Sequence, residues 1–113
     1  MSMKSAEALE ELARLRDEIL RCDQELVRII EIRKRAVLQI GEIKEWLGLP
    51  ITDPAREAAV VKRAAELARQ GGVDEELVRD LIWRIMASAR DHQQGRTRWG
   101  PPDPPDLAEQ ETA

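Results

Sequence analysis

Two cations on the first predicted helix have the spacing of a small-anion site. Lys44 follows Arg33 by eleven residues, close to three helical turns, so the two lie on nearly one face, about 16 Å apart along the axis. Long side chains cover several ångströms each, so the pair could converge on an anion of metabolite size. Arg33 stands where an apolar residue is expected in the run Leu26, Ile29, Arg33, Ala36, Ile40, Ile43. Arg16 lies roughly 25 Å from Arg33 and at another azimuth. Two arginines on one rigid helix cannot share a small ligand over that distance. Arg16 would reach the same site only from an antiparallel partner chain.

Other polar residues interrupt apolar patterns downstream. Asp53, Arg56 and Glu57 share one face of a second helix at spacings of three and four. Ser88 and His92 continue an apolar stripe of a third helix. Each has a plain structural explanation: a snorkelling or glutamate-paired Arg33, an N-cap at Asp53, an ion pair for Arg56, a surface histidine. Three helices placing polar groups where core is expected favour a ligand, because burying charge is costly unless something neutralises it.

The elements that position these residues are helices. The chain has 113 residues, 42% hydrophobic, 35% charged and 3% aromatic, with no Phe or Tyr, the composition of an all-α protein. Leu12, Leu15, Ile19, Cys22, Leu26, Ile29, Arg33, Ala36, Ile40, Ile43 and Leu47 keep a three-four spacing through one very long first helix. Gly48 and Pro50 end it. Asp53 and Pro54 open a second helix whose apolar side is Val60, Val61, Ala64, Leu67 and Ala68. Gly71 and Gly72 end that one. Asp74 caps a third, with the stripe Leu77, Leu81, Ile85, Ser88, His92. Residues 5–95 are read as one helical domain, and the Pro-rich residues 96–113 as a disordered tail on which Trp99 is a possible anchor.

A helix of about 40 residues is roughly 60 Å long, whereas a compact domain of this size is about 35 Å across. The first helix must overhang its own protomer, and an intertwined antiparallel homodimer would bury the seam. Cys22 reads as a small buried hydrophobe. A net charge of −4 argues against general nucleic-acid or anionic-membrane binding. Neither a signal peptide nor a membrane-spanning run is evident, so the expected location is the cytoplasm.

"LRDEI" with Arg16, "IRKRAVLQIGEIK" with Arg33 and Lys44, "PITDPARE" with Asp53, Arg56 and Glu57, and Ser88 together resemble the all-helical class of chorismate mutases over roughly residues 9 to 94. The resemblance implies an intertwined homodimer of three-helix protomers, with Arg16 donated across the interface. It implies that Arg16 and Arg33 each bind a carboxylate of chorismate, and that Lys44 reaches a carboxylate and the ether oxygen. Glu57, with the backbone near Asp53, would hold the ring hydroxyl, and Arg56 and Ser88 would complete the carboxylate shell. Conversion of chorismate to prephenate is a pericyclic rearrangement needing no nucleophile, proton transfer, metal or redox cofactor. It needs conformer selection and stabilisation of charge on the ether oxygen.

Relatives usually carry Gln four residues after the serine, where this chain has His92, followed by Gln93 and Gln94. One residue is about 100° of helix rotation, so His92 and Gln93 cannot both face inward from a straight helix. His92 is the expected donor to the ether oxygen. A local twist presenting Gln93 is the alternative. Isochorismate pyruvate lyases, 4-amino-4-deoxychorismate mutases, and a catalytically idle helical dimer binding a metabolite or protein share enough of this pattern to remain open. "TDPARE" resembles the chorismate mutases most. Activation by another enzyme of the pathway is also left open.

Overall fold

The computed structural model describes residues 3–93, with side chains from Lys4 onward. The 95/96 domain boundary, Gln94, the tail and Trp99 lie outside them. The described residues form three α-helices and no strand: α1 (Met3–Leu47), α2 (Pro54–Gln70) and α3 (Glu75–Gln93). The all-α, three-helix expectation holds, with a first helix of 45 residues that is about 67 Å long at 1.5 Å per residue. The chain divides into two compact units, Met1–Arg63 and Ala64–Ala113, the division falling inside α2.

In the first unit, α1 runs unbroken through Gly41. Three of its solvent-facing arginines are held by glutamates one turn away: Arg14 by Glu11 and Glu18, Arg28 by Glu25, Arg35 by Glu31. Such pairs each add a few tenths of a kcal/mol, roughly 0.2–0.5, to an exposed helix. Its apolar seam is left open, as its length requires. Leu12, Leu15, Ile19, Leu26, Ile29, Ile40, Ile43 and Leu47 are all exposed, Ile19 to 60% and Ile43 to 57%. Cys22 is exposed with them, so within the single chain it is not the buried hydrophobe expected.

The half-buried positions of α1 form a second stripe: Ile30, Arg33, Lys34, Val37, Leu38, Gly41 and Lys44. This refines the place of Arg33. On a 100°-per-residue wheel, Arg33 and Lys44 stand at the border between that stripe and the exposed apolar one. Arg33 therefore does not interrupt a buried seam; it edges an open one.

Helix α1 ends in a Schellman motif. Gly48 adopts φ 70°, its N–H donates to the Glu45 carbonyl at 3.1 Å, and the Leu49 N–H donates to the Lys44 carbonyl at 2.8 Å. Asp53 then caps α2, its Oδ1 accepting from the Arg56 N–H at 3.1 Å.

Among the described residues the buried side chains all lie in the second unit: Ala65 and Ala68 from α2, Met86 and Ala89 from α3. Three of the four are alanines, small enough to permit close helix approach. The expected apolar side of α2 is corrected by one residue: Ala65 is buried and Leu67 is 57% exposed. Helix α3 is shifted likewise. Its buried side follows Val78, Ile82, Met86 and Ala89, while Leu77 and Leu81 on the adjacent stripe stay exposed. Both stripes have the same spacing, one residue and about 100° apart. Gly72, φ 68°, repeats the Schellman geometry, with its N–H donating to Arg69 (3.3 Å) and the Val73 N–H to Ala68 (2.8 Å). Asp74 caps α3 by accepting from the N–H groups of Glu76 (3.0 Å) and Leu77 (3.3 Å).

Candidate functional site

The expected site residues fall into two groups. Arg16, Arg33, Lys44, Asp53, Arg56 and Glu57 belong to the first unit, and Ser88, His92 and Gln93 to the second. In the first unit Arg33, Lys44 and Glu57 are half-buried, while Arg16, Asp53 and Arg56 are exposed.

The arginines of α1 differ in how their charge is met. Arg14 and Arg28 are bound by glutamates, and their hydrogen bonds hold the Glu11 and Glu25 carboxyls below the usual carboxylate range. Arg16 and Arg33 form no ion pair with any described residue. For exposed Arg16 that is unremarkable. Arg33 differs, because among the described residues it is the one half-buried cation without a described partner. Lys34 and His92 have partners, Arg90 lies over the Trp83 ring at 5.4 Å, and Lys44 donates from Nζ to the Ile51 carbonyl at 3.3 Å. A guanidinium partly withdrawn from water keeps its full charge and its bidentate donor geometry, so it favours a carboxylate or phosphate ligand.

Among the described residues Lys44 and Arg56 have no carboxylate partner either. The intrahelical ion pair considered for Arg56 is absent. Asp53 is spent on the cap, where its carboxylate meets main-chain N–H groups. The junction of α1 and α2 carries Glu42, Glu45, Asp53 and Glu57 beside Lys44 and Arg56, so what sets it apart is that these two cations lack a carboxylate partner, not an excess of positive charge.

On α3, Ser88 and His92 are one turn apart and half-buried. They extend the stripe of Leu77, Leu81 and Ile85, whose first two members are exposed. Gln93 instead extends the stripe of Met86 and Ala89, the buried side. Sequence reasoning missed Ile51, whose carbonyl meets Lys44. No side-chain pairing in the sequence announces that contact. Among the described residues no group of three or more His, Cys, Asp or Glu side chains is gathered as metal ligands would be.

Residues 15–94 match the family described as chorismate mutase type II. The chain belongs to that family. It is 36% identical over 78 residues to the T-protein of Haemophilus influenzae, covering 69% of this chain and 21% of that one. It is 35% identical over 69 residues to the chorismate mutase of Methanocaldococcus jannaschii, covering 61% of this chain and 70% of the relative. It is 37% identical over 83 residues to the bifunctional chorismate mutase/prephenate dehydratase of Aquifex aeolicus, covering 72% and 23%. The chain therefore spans about a fifth of the T-protein and the bifunctional enzyme, and most of the shorter chorismate mutase. The family match takes in Arg16, Arg33, Lys44, Asp53, Arg56, Glu57, Ser88, His92 and Gln93. No helix among the described residues is long and apolar enough to cross a membrane.

Proposed function

We propose that this chain is a chorismate mutase, an isomerase that converts chorismate to prephenate in the cytoplasm on the route to Phe and Tyr. The observation that carries the reading is Arg33, a half-buried guanidinium that no carboxylate of the described residues meets. Arg33 binds one substrate carboxylate, and Arg16 from the second protomer of an intertwined antiparallel homodimer binds the other. Arg56 and Ser88 complete the carboxylate shell. Glu57, with the backbone near Asp53, holds the ring hydroxyl. These contacts select the folded, chair-like conformer, so that the C–O bond breaks as the C–C bond forms within one molecule. Negative charge grows on the ether oxygen in the transition state. Lys44 and His92 donate to it from fixed positions, which lowers the barrier without reorganisation at the moment of reaction. His92 is preferred over Gln93 because it continues the open stripe that carries Ser88, whereas Gln93 follows the buried one. The exposed seam of α1 supports the homodimer: a row of open Leu and Ile at coiled-coil spacing is what a second copy would cover.

Purified protein mixed with chorismate tests the reading, with loss of the substrate's ultraviolet absorbance and product mass as readouts and isochorismate and 4-amino-4-deoxychorismate as parallel substrates. Prephenate is the expected product. Arg33→Ala should lower kcat/KM by about 10²–10³-fold, the scale for truncating one partner of a desolvated charge pair. Mixing inactive Arg16→Ala with inactive Arg33→Ala protein should restore activity, because a mixed dimer holds one site with both arginines. A folded dimer inert toward chorismate would refute the assignment.

A further inference from the structure

The end of α1 is built around Lys44 twice over. The Leu49 N–H donates to the Lys44 carbonyl at 2.8 Å, so the main chain of this residue closes the helix. The Lys44 ammonium in turn donates to the Ile51 carbonyl at 3.3 Å. Both bonds depend on the reversal at Gly48, where φ is 70°. Pro50 restricts the backbone between the two partners. Asp53 then anchors the far end of the segment to the first turn of α2. A short stretch of chain therefore ties Lys44 to the helix start that carries Arg56 and Glu57.

We infer that residues 48–53 are a positioning element: the reversal at Gly48 presents the Ile51 carbonyl to the Lys44 ammonium and sets where that charge stands before substrate arrives. The inference rests on the mutase reading for what the charge then does. The choice of acceptor matters. A carboxylate would hold the lysine more firmly but cancel its charge. A neutral carbonyl restrains the flexible side chain and leaves the positive charge for the ether oxygen. Gly48 and the Ile51 carbonyl touch no substrate in this scheme; they act through Lys44.

Gly72 supplies a matched control. Its φ is 68°, it closes the same pair of hydrogen bonds, and a Cβ added there, as at Gly48, would meet nothing within 4 Å. Alanine imposes the same backbone strain at both glycines, so Gly48→Ala and Gly72→Ala should lower Tm alike. Gly48→Ala should also lower kcat at least about fivefold, more than it raises KM, by loosening the turn that holds Lys44. Gly72→Ala should leave both constants within about twofold of wild type. Gly48→Asn, which tolerates left-handed backbone, should recover most of the loss. Equal kcat losses in the two alanine variants, or an unchanged kcat in a destabilised Gly48→Ala, would overturn the inference. A readout independent of turnover is NMR of the labelled lysine side chains without substrate. The Lys44 ammonium should be protected from exchange in wild type and Gly72→Ala and exposed in Gly48→Ala; the same protection in all three also overturns it. Wild-type protein that fails to turn over chorismate would sink the mutase reading, while the NMR comparison would still decide whether the turn holds Lys44.

Discussion

The two interhelical turns of this chain are built alike, and their cations are paired differently. Each begins with a left-handed glycine, Gly48 or Gly72, that closes a Schellman motif. Each ends with an aspartate, Asp53 or Asp74, that caps the next helix. At the second turn the charges close on themselves. Arg69 donates to Glu75 at 2.6 Å, and Glu75 also accepts from Arg79 at 3.1 Å. At the first turn Lys44 meets a main-chain carbonyl, and neither it nor Arg56 has an acid partner among the described residues. The same local solution to stopping and restarting a helix is thus used once with its cations held by a carboxylate and once, among the described residues, with no carboxylate on either cation. On the proposed function the balanced turn, its cations paired with an acid, is structural, and the other recognises an anion.

The sharpest way to break this comparison is to remove the cation from each turn. Lys44→Ala should lower kcat by about 10²–10³-fold, the cost of deleting one donor to charge developing in the transition state. Arg69→Ala should leave turnover of chorismate within about twofold, while losing a cross-turn ion pair. Comparable losses of kcat in both variants would show that the uneven pairing has no functional meaning.

The caps give a smaller effect and a finer test. Asp53→Ala and Asp74→Ala each remove a side-chain acceptor from the start of a helix, at about 1 kcal/mol, so each should lower Tm by about 4–8 °C for a domain of this size. Only Asp53→Ala should also lower kcat, because its cap fixes the turn carrying Arg56 and Glu57. Scanning calorimetry beside the chorismate assay separates the two effects. If Asp74→Ala slowed turnover as much as Asp53→Ala, the turns would not differ in kind.

What could be read from the sequence follows how local each signal is. Helix ends were legible because Gly48, Pro50, Asp53, Gly72 and Asp74 act through their own backbone and nearest neighbours. The open seam was legible because an excess of helix length over domain size needs only counting. Azimuth was harder. Leu77–Leu81–Ile85 and Val78–Ile82–Met86 are apolar stripes of equal quality, and which one is buried is decided by what packs against the helix. On α2 the packed face likewise takes in Ala65 and leaves out Leu67, and on α1 Arg33 stands at the edge of a seam rather than in its middle. The site residues were legible mainly as charges out of pattern, and their order resembles a known family. The contact between Lys44 and Ile51 was not legible, since it depends on the reversal between them and no side-chain pairing announces it.

The smallest expected effect lies in the balanced turn and concerns acid. The hydrogen bond from Arg69 is the main cause that holds the Glu75 carboxyl below its ordinary value of 4.5, with Arg79 assisting. A carboxylate depressed in the folded state contributes stability above its unfolded pKa, and that contribution fades as pH falls through the folded value. Glu75→Gln should therefore lower Tm slightly at pH 7, and the gap from wild type should close as the solution is taken below the carboxylate range. The effect is small because both partners reach solvent, where screening weakens ion pairs; added salt should narrow the gap at pH 7 in the same way. Turnover should be unaffected. A Glu75→Gln variant with altered kcat at neutral pH would mean that charge balance at this turn reaches the chemistry, and the distinction between the two turns would have to be drawn elsewhere.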